Sequence, residues 1–539
     1  MNVRRLVNLG KITGIILPIV LGLVSCSPPK VTQAQLSVIL NADEKSFQVE
    51  LPPGSTVQQA FEKASIVLSE LDRSEPPMYT LLTDGASVRL IRVREEFEVE
   101  QVTIPFERQM VQNESLPVGE TRLSQPGENG LKEITYRRLY ENNTEISRTE
   151  VKTIVLKEAV PEIIMVGSQT PFTSLPIPGR LAYLSAGNAW LMERTTGNRR
   201  AIVTTGDLDG RIFSLSPDGN WLLFTRDLGQ ENVINSLWAG RIDIESSALV
   251  DLKATNIVHF AEFAPDSTTV AYSTVEPRSA APGWQANNDL ILVGLSSSGF
   301  VSKPRSLVET NSGGVYGWWG TEYAWAPDGE NIAYARPDGI GLISVQEEAL
   351  IMPLRDVLPL QTGGDWAWVP GIDWSPDGKI FFLVDHLAPE GSPSPEESTF
   401  FDLVAIPLEA GPAINLSSQV GMFAYPSASP LQSGPGSLPG ENASQVAYLQ
   451  SIIPSQSETS RYRLVVSDRD GSNKDISFPE DGAQGLDPQH VVWSPAPLVE
   501  GGAYTIAVIY QNNIWLVNLA DGQAQQITGD GLSVRIDWR

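Results

Sequence analysis

The chain has 539 residues, 41% hydrophobic and 19% charged, with 64 acidic against 38 basic side chains and a net charge of -26. A chain of this length divides into more than one domain, and its acidic excess excludes a nucleic-acid partner, because binding to a phosphate backbone draws its affinity from clustered cations. A single Cys excludes an internal disulfide, a Cys-based zinc cluster and a CxxC redox pair.

At the N-terminus, Arg4, Arg5 and Lys11 precede an apolar run from Ile12 to Val24 that contains no acid. The run falls short of the roughly 20 residues a spanning helix needs, and Pro18 interrupts it, so residues 1–25 read as a secretory signal peptide. Leu23-Val24-Ser25-Cys26 is similar to the lipobox of bacterial lipoproteins. That resemblance implies lipidation of Cys26, cleavage before it, and an extracytoplasmic protein anchored through lipid to the bacterial cell membrane. Residues 26–35, with Pro28 and Pro29, are then a lipidated tether.

Strand-like runs follow at Leu36–Leu40 and Phe47–Leu51, then helical spacing over Thr56–Leu68 with apolar Val57, Ala60, Phe61 and Ala64, and a strand at Ser87–Val93 after the turn Thr83-Asp84-Gly85. This predicts a small α+β module over residues 36–94. Pro53-Gly54-Ser55-Thr56-Val57 and Leu81-Leu82-Thr83-Asp84-Gly85-Ala86-Ser87-Val88 resemble the ubiquitin-like module of YabE-type and resuscitation-factor cell-wall proteins.

Over residues 95–169, long polar strands such as Leu131–Tyr140 and Ile146–Leu156 leave little apolar content for a thick core. Thr103-Ile104-Pro105-Phe106-Glu107, Leu116-Pro117-Val118-Gly119-Glu120-Thr121, Gln125-Pro126-Gly127-Glu128-Asn129-Gly130 and Val166-Gly167 are similar to the five-glycine domain of bacterial adhesins and peptidoglycan-active proteins. The departure is Asn142-Asn143, where the family prefers Asn-Gly; Asn also enters the left-handed region, so the turn is expected to persist. The resemblance implies contact with peptidoglycan or other N-acetylglucosamine-containing glycans; passive spacing is the alternative. Residues 97–169 hold neither His nor Cys, a poor ligand set for zinc.

Residues 170–179, with Pro171, Pro176 and Pro178, read as a linker. Beyond it, Leu215-Ser216-Pro217-Asp218-Gly219 recurs as Phe263-Ala264-Pro265-Asp266-Ser267, Trp325-Ala326-Pro327-Asp328-Gly329 and Trp374-Ser375-Pro376-Asp377-Gly378, with shorter echoes at Ala428-Ser429-Pro430 and Trp493-Ser494-Pro495. The second and third strands of each repeat are near-continuous apolar runs, which require burial on both faces, as stacked four-stranded blades provide. The motif resembles the Pro-Asp-Gly repeat of TolB-like, WD-like β-propellers over residues 180–539. Val534-Arg535-Ile536-Asp537-Trp538 reads as a first strand without a blade, and residues 180–205 as later strands, at Leu181–Tyr183, Ala189–Met192 and Ala201–Thr204, lacking a first. The fold expected is therefore mainly β, a seven-bladed propeller closed between the chain end and its first blade. The Asp-Gly pairs read as turn residues rather than calcium ligands, and Asp207–Gly210 and Asp468–Gly471 as hairpin turns.

Long loops at Glu276–Asn288, Leu387–Thr399 and Ser451–Ser460 and the aromatic connections Val315–Gly320 and Asp365–Trp368 fall on one face of such a propeller. Trp284, Trp318, Trp319, Trp366 and Trp368 are the candidate ligand-binding residues; filling gaps between blades is their alternative role. His259, His386 and His490 are isolated, and neither HExxH nor GxSxG occurs. No catalytic residue, metal or cofactor is read. The expectation is a non-enzymatic envelope protein whose propeller binds a protein or saccharide, with a purely structural role or a propeller glycosidase or lactonase as the alternatives.

Overall fold

The computed structural model describes residues 35–113, 116, 118–168, 172–243, 248–311, 315–346, 348–364, 366–409, 411–431 and 444–539. The signal peptide, Cys26 and the tether up to residue 34 lie outside them, as does most of the connection 431–443. The protein is mainly β and divides into two compact units, residues 1–106 with 128–160 and residues 107–127 with 161–539. The stretch 95–169 is thus shared between the units, its small sheet Arg108–Asn113, Thr121–Gln125 and Glu162–Gly167 joining an apolar cluster of the second.

In the first unit, strands Lys45–Leu51, Leu36–Ala42, Ser87–Ile91 and Arg73–Glu75 form a mixed sheet in that order, with Leu36–Ala42 and Ser87–Ile91 parallel. Helix Val57–Lys63 lays Val57, Ala60 and Phe61 against Val38, Leu40, Val88 and Leu90. Thr56 caps it through Gln59 N–H, and the Gln59 amide oxygen accepts the Thr56 N–H, a reciprocal capping box. The helix stops earlier than Leu68 because Ser65 turns left-handed (φ 57°), with Ile66 N–H bonding Phe61 O and Ser65 N–H bonding Glu62 O, a Schellman closure.

The same unit holds the long antiparallel sheet Val93–Ile104, Gly130–Glu141, Thr144–Lys157, whose last strand is exposed along all 14 residues. Without a second apolar layer, ion pairs and cation–π contacts carry its face: Arg148 bonds Glu100 (2.8 Å) and sits 3.9 Å from the Tyr136 ring centre, and Arg137 bonds Glu95 (2.6 Å). Asn142 and Asn143 both take positive φ (46° and 68°), making the tight turn without glycine. Arg92 joins the two sheets, bonding Asp43 and Asp72 (2.7 Å each) while its backbone pairs with Asn142.

In the second unit, strands Arg108–Asn113, Glu162–Gly167 and Thr121–Gln125 form a small sheet whose Val111, Ile163 and Met165 share an apolar cluster with Leu181, Trp190, Leu516 and Trp538. Among the described residues, six further sheets are four-stranded antiparallel meanders in strict chain order, opening at Leu208–Leu215, Ala261–Phe263, Glu322–Trp325, Ile372–Trp374, Ser427–Ala428 and Val492–Trp493. We number them one to six. The apolar residues of the second strands lie buried, as Leu222, Phe224, Phe381, Phe382, Ile506 and Val508 do, whereas fourth strands expose some of theirs, such as Ile351, Ile414 and Ile476.

In the remaining sheet, the seventh, Pro176–Ser185 lies between Asn188–Val203 and Ser533–Trp538, with Leu181 opposite Trp538 and Tyr183 opposite Ile536. The linker expected at 170–179 gives way to strand at Pro176, since Ile177 is buried and Pro178 O accepts the Trp538 indole N–H (2.7 Å). Two separate strands were expected at Ala189–Met192 and Ala201–Thr204; the extended run is continuous from Asn188 to Val203, with Arg194 left-handed (φ 66°). Asp207–Gly210 is no hairpin turn: Leu208 opens the first sheet and Asp207 pairs with Arg226 (2.9 Å).

Candidate ligand-binding site

The long segments Glu276–Asn288 and Val315–Gly320 fold onto each other. Val275–Pro277 and Trp284–Ala286 form a short hairpin, and Ala286 N–H bonds Trp318 O (3.0 Å). This brings Trp284 within 4.5 Å of His259, ring centre to ring centre and edge-on, and within 6.3 Å of Trp319; Arg278 stands 5.9 Å over Trp318. All three indoles are half-buried. Gly320 is required beneath them, since a Cβ there would lie 2.7 Å from His259 Nε2.

The other two candidate tryptophans lie elsewhere. Trp368 is a core residue, 2% exposed, its indole N–H bonded to Met422 O (2.9 Å) and its ring edge-on to Phe401, so it has no free face for a ligand. Trp366 is half-buried against the same apolar cluster. The loop Leu387–Thr399 is drawn down onto this core, both His386 ring nitrogens lying 2.8 Å from carbonyl oxygens, those of Leu358 and Ser398.

A second group of polar residues comes from the first strand of each sheet, at positions whose chemistry varies too much to show as a repeat. One residue before the apolar residue that closes each first strand stand Ser214, Glu262, Ala324, Asp373, Ser427, Val492 and Asp537. The three acids reach to the next sheet: Asp537 accepts Leu215 N–H (2.6 Å), Glu262 accepts Trp325 N–H, and Asp373 accepts Ala428 N–H (2.7 Å). Tryptophans bind in the opposite sense, Trp374 to Ala324 O (3.2 Å) and Trp493 to Ser427 O (3.0 Å). Burial raises the Glu262 carboxyl to about 7 and Asp373 to about 6, with Arg539 opposing both shifts. Asp537, Glu262 and Asp373 in turn hold the Arg539 guanidinium in its charged form.

On or just ahead of these strands lie Glu322, Gly371, Tyr425, His490 and Arg535, three residues before the closing position, with Arg211 and His259 four before it. Tyr425 and His490 approach to 4.4 Å between ring centres. Burial lowers His490 to about 4, with Arg535 second, and lowers His259 to about 4, with Arg211 second. Glu322 is raised to about 7 by burial alone. Tyr425 is raised by burial first and then by Glu322, and Arg535 is lowered by burial with Tyr425 and then Asp209 opposing the shift. His490 and Arg535 are exposed side chains.

The repeated Asp residues serve their own turns: Asp218 accepts Asn220 N–H (3.1 Å), Asp328 accepts Glu330 N–H (2.8 Å) and Asp377 accepts Lys379 N–H (3.2 Å). Among the described residues no group of three or more His, Cys, Asp or Glu is placed to hold a metal ion, and no helix is long and apolar enough to cross a membrane. In the first unit, a polar cleft of about 730 Å³ opens between Asn41–Ser46 and the Asn142-Asn143 turn.

Residues 95–169 match the family model of the G5 domain, and this stretch is a G5 domain. The chain is 27% identical over 175 residues to the resuscitation-promoting factor Rpf2 of Corynebacterium glutamicum, a match that takes in 32% of this chain and 44% of that protein. The chain thus spans less than half the length of this curated relative. Among solved structures, it is similar to HP0197-G5 (20% identity, 14% of this chain and 99% of that one, TM-score 0.14). It is also similar to the periplasmic gluconolactonase PpgL of Pseudomonas aeruginosa (14% identity, 68% and 96%, TM-score 0.39).

Proposed function

We propose that the protein is a lipid-anchored component of the bacterial cell envelope, in which residues 180–539 form a closed seven-bladed β-propeller that serves as a binding platform. The pairing of Ser533–Trp538 with Pro176–Ser185 carries this reading, because it supplies the seventh sheet with a first strand drawn from the other end of the second unit, as a closed propeller requires. The mixed sheet and helix of residues 36–94 are the ubiquitin-like module, and with the G5 domain they contact or space the propeller from peptidoglycan. Cys26 carries the lipid. A binding role rather than an enzymatic one is supported by the aromatic cluster Trp284, Trp318 and Trp319, held half-open where two long loops meet.

The experiment is retention of the full chain on purified sacculi, with N-acetylglucosamine as competitor, beside the membrane fractionation of Cys26→Ser. Retention that the sugar reverses, and loss of Cys26→Ser from the membrane fraction, support the reading. Passage of the chain through the sacculi unretained assigns the G5 domain to spacing, and an unchanged membrane fraction for Cys26→Ser removes the anchor.

A further inference from the structure

In the proposed ring, the residues three or four before the closing position of each first strand form an upper axial group, and those one before it, with Arg539, a lower one; among the described residues, Arg535 is the one guanidinium of the upper group without a carboxylate at ion-pairing distance. Its Nε–H bonds Gly210 O (2.6 Å), which fixes the side chain and leaves both terminal NH2 groups unspent. Its side chain is exposed, so a ligand can reach it, and Asp209 acts on it only from beyond ion-pairing distance. The contrast with the lower axial group is direct: there Arg539 is matched by Asp537, Glu262 and Asp373. Arg211, the other arginine of the upper group, has Asp209 at 3.8 Å. Along the proposed axis, therefore, acids outnumber the one guanidinium at one end, whereas at the other Arg211 has its carboxylate and Arg535 has none at ion-pairing distance, in a chain whose overall charge is -26.

The groups beside Arg535 suit a particular kind of anion. Tyr425 and His490 are neutral at pH 7 and can each donate or accept a hydrogen bond, and Phe423 stacks on Tyr425 at 6.0 Å, so an organic ring or chain finds aromatic surface next to the cation. Glu322, raised to about 7, becomes a donor as it takes up a proton. On the fourth sheet the corresponding position is Gly371, which puts no side chain into the space.

We propose that this upper axial group is a binding site for a small hydroxy-carboxylate. Arg535 takes the carboxylate through its two NH2 groups, as the planar fork of a guanidinium favours. Tyr425, His490 and Glu322 take the hydroxyls. The site rests on the closed-ring reading above, since only a ring brings the third, fifth, sixth and seventh sheets around one opening. Affinity for the anion rises as pH falls through about 7, because Glu322 loses its charge there while His490 stays neutral until about pH 4; Arg211, Arg535 and Asp209 are the other charged groups beside the site.

The test is calorimetric titration of the purified full chain with D-glucuronate, with D-glucose as the neutral control and a peptide with a free C-terminal carboxylate as a second probe. The expected result is binding of glucuronate but not of glucose, weakened at least tenfold by Arg535→Gln, weakened less by Tyr425→Phe, and several-fold tighter at pH 6 than at pH 8. Circular dichroism establishes that each variant is folded. Absence of glucuronate binding, equal binding of glucose, binding of the peptide alone, or unchanged affinity in folded Arg535→Gln overturns the proposal. A disulfide formed between cysteines placed at Ala182 and Asp537, which face each other across the paired strands, reports on ring closure independently, so a failed site and a failed ring are told apart.

Discussion

Asp537 Oδ2 accepts the backbone N–H of Leu215 at 2.6 Å, a bond between residues 322 positions apart that ties the seventh sheet to the first. The same carboxyl caps Trp538 N–H through Oδ1 (2.8 Å). Both acceptor atoms are therefore committed to buried backbone donors, which would otherwise be left without partners. Asp537→Ala is expected to destabilise the protein by about 2–3 kcal/mol and Asp537→Asn by less, since the amide oxygen keeps one bond. Denaturant midpoints at constant m-value check this.

Gly179 sits at φ 62°, against the Arg539 carbonyl, where a Cβ would overlap backbone. Its neighbours Arg180 and Arg539 exchange both backbone bonds, at 2.6 and 3.0 Å. Gly179→Ala should therefore cost about 3 kcal/mol or more, from left-handed strain and loss of that pair together. A control at Gly522, also left-handed (φ 68°) but in open space, should lose only about 1 kcal/mol.

Three raised acids set a pH dependence. Glu262 and Glu322 titrate near 7 and Asp373 near 6 in the folded protein, above the ordinary range of about 4 for carboxyls. The folded state then binds more protons than the unfolded chain between those values. Their contribution is fully present below about pH 4 and is lost as pH rises through 6 to 7. Glu322→Gln should stabilise the protein by about 1 kcal/mol at pH 8 and leave it unchanged near pH 4.5, as read from thermal unfolding at the two pH values.

Arg92 in the first unit works in the opposite direction. Hydrogen bonding to Arg92 holds Asp43 below its ordinary value, and Asp72 is also lowered, its burial outweighed by the Ser69 and Val93 N–H groups and by Arg92. That stability is present above about pH 4 and is lost as pH falls further. Arg92→Ala strands the Asp72 carboxylate, whose side chain is 1% exposed, and is expected to cost about 2–4 kcal/mol at pH 7, less at pH 3.

The turn-forming repeat was readable because its signal is local: Ser216 Oγ bonds Asp218 and Ser375 Oγ bonds Asp377 (2.6 Å) within a few residues of chain. The strands on either side follow from continuous apolar runs. The upper axial group was not readable, since Arg211, His259, Glu322, Gly371, Tyr425, His490 and Arg535 share neither residue type nor sequence neighbourhood, and only the alignment of first strands puts them in register. Trp368 misled for a related reason. Its place in a connection between sheets suggested a loop surface, but its hydrogen-bond partner, Met422 O, is 54 residues away and is supplied by the next connection. The Asn142-Asn143 turn shows the reverse case, where backbone chemistry alone foretold a left-handed pair.

Ring closure is tested most directly by hydrogen exchange on the full chain and on a variant lacking residues 533–539. A closed ring predicts slow exchange at Leu181–Leu184 in the full chain, fast exchange there in the shortened one, and a lower unfolding midpoint for the whole second unit. Unchanged protection at Leu181–Leu184 and an unchanged midpoint after the deletion would contradict it.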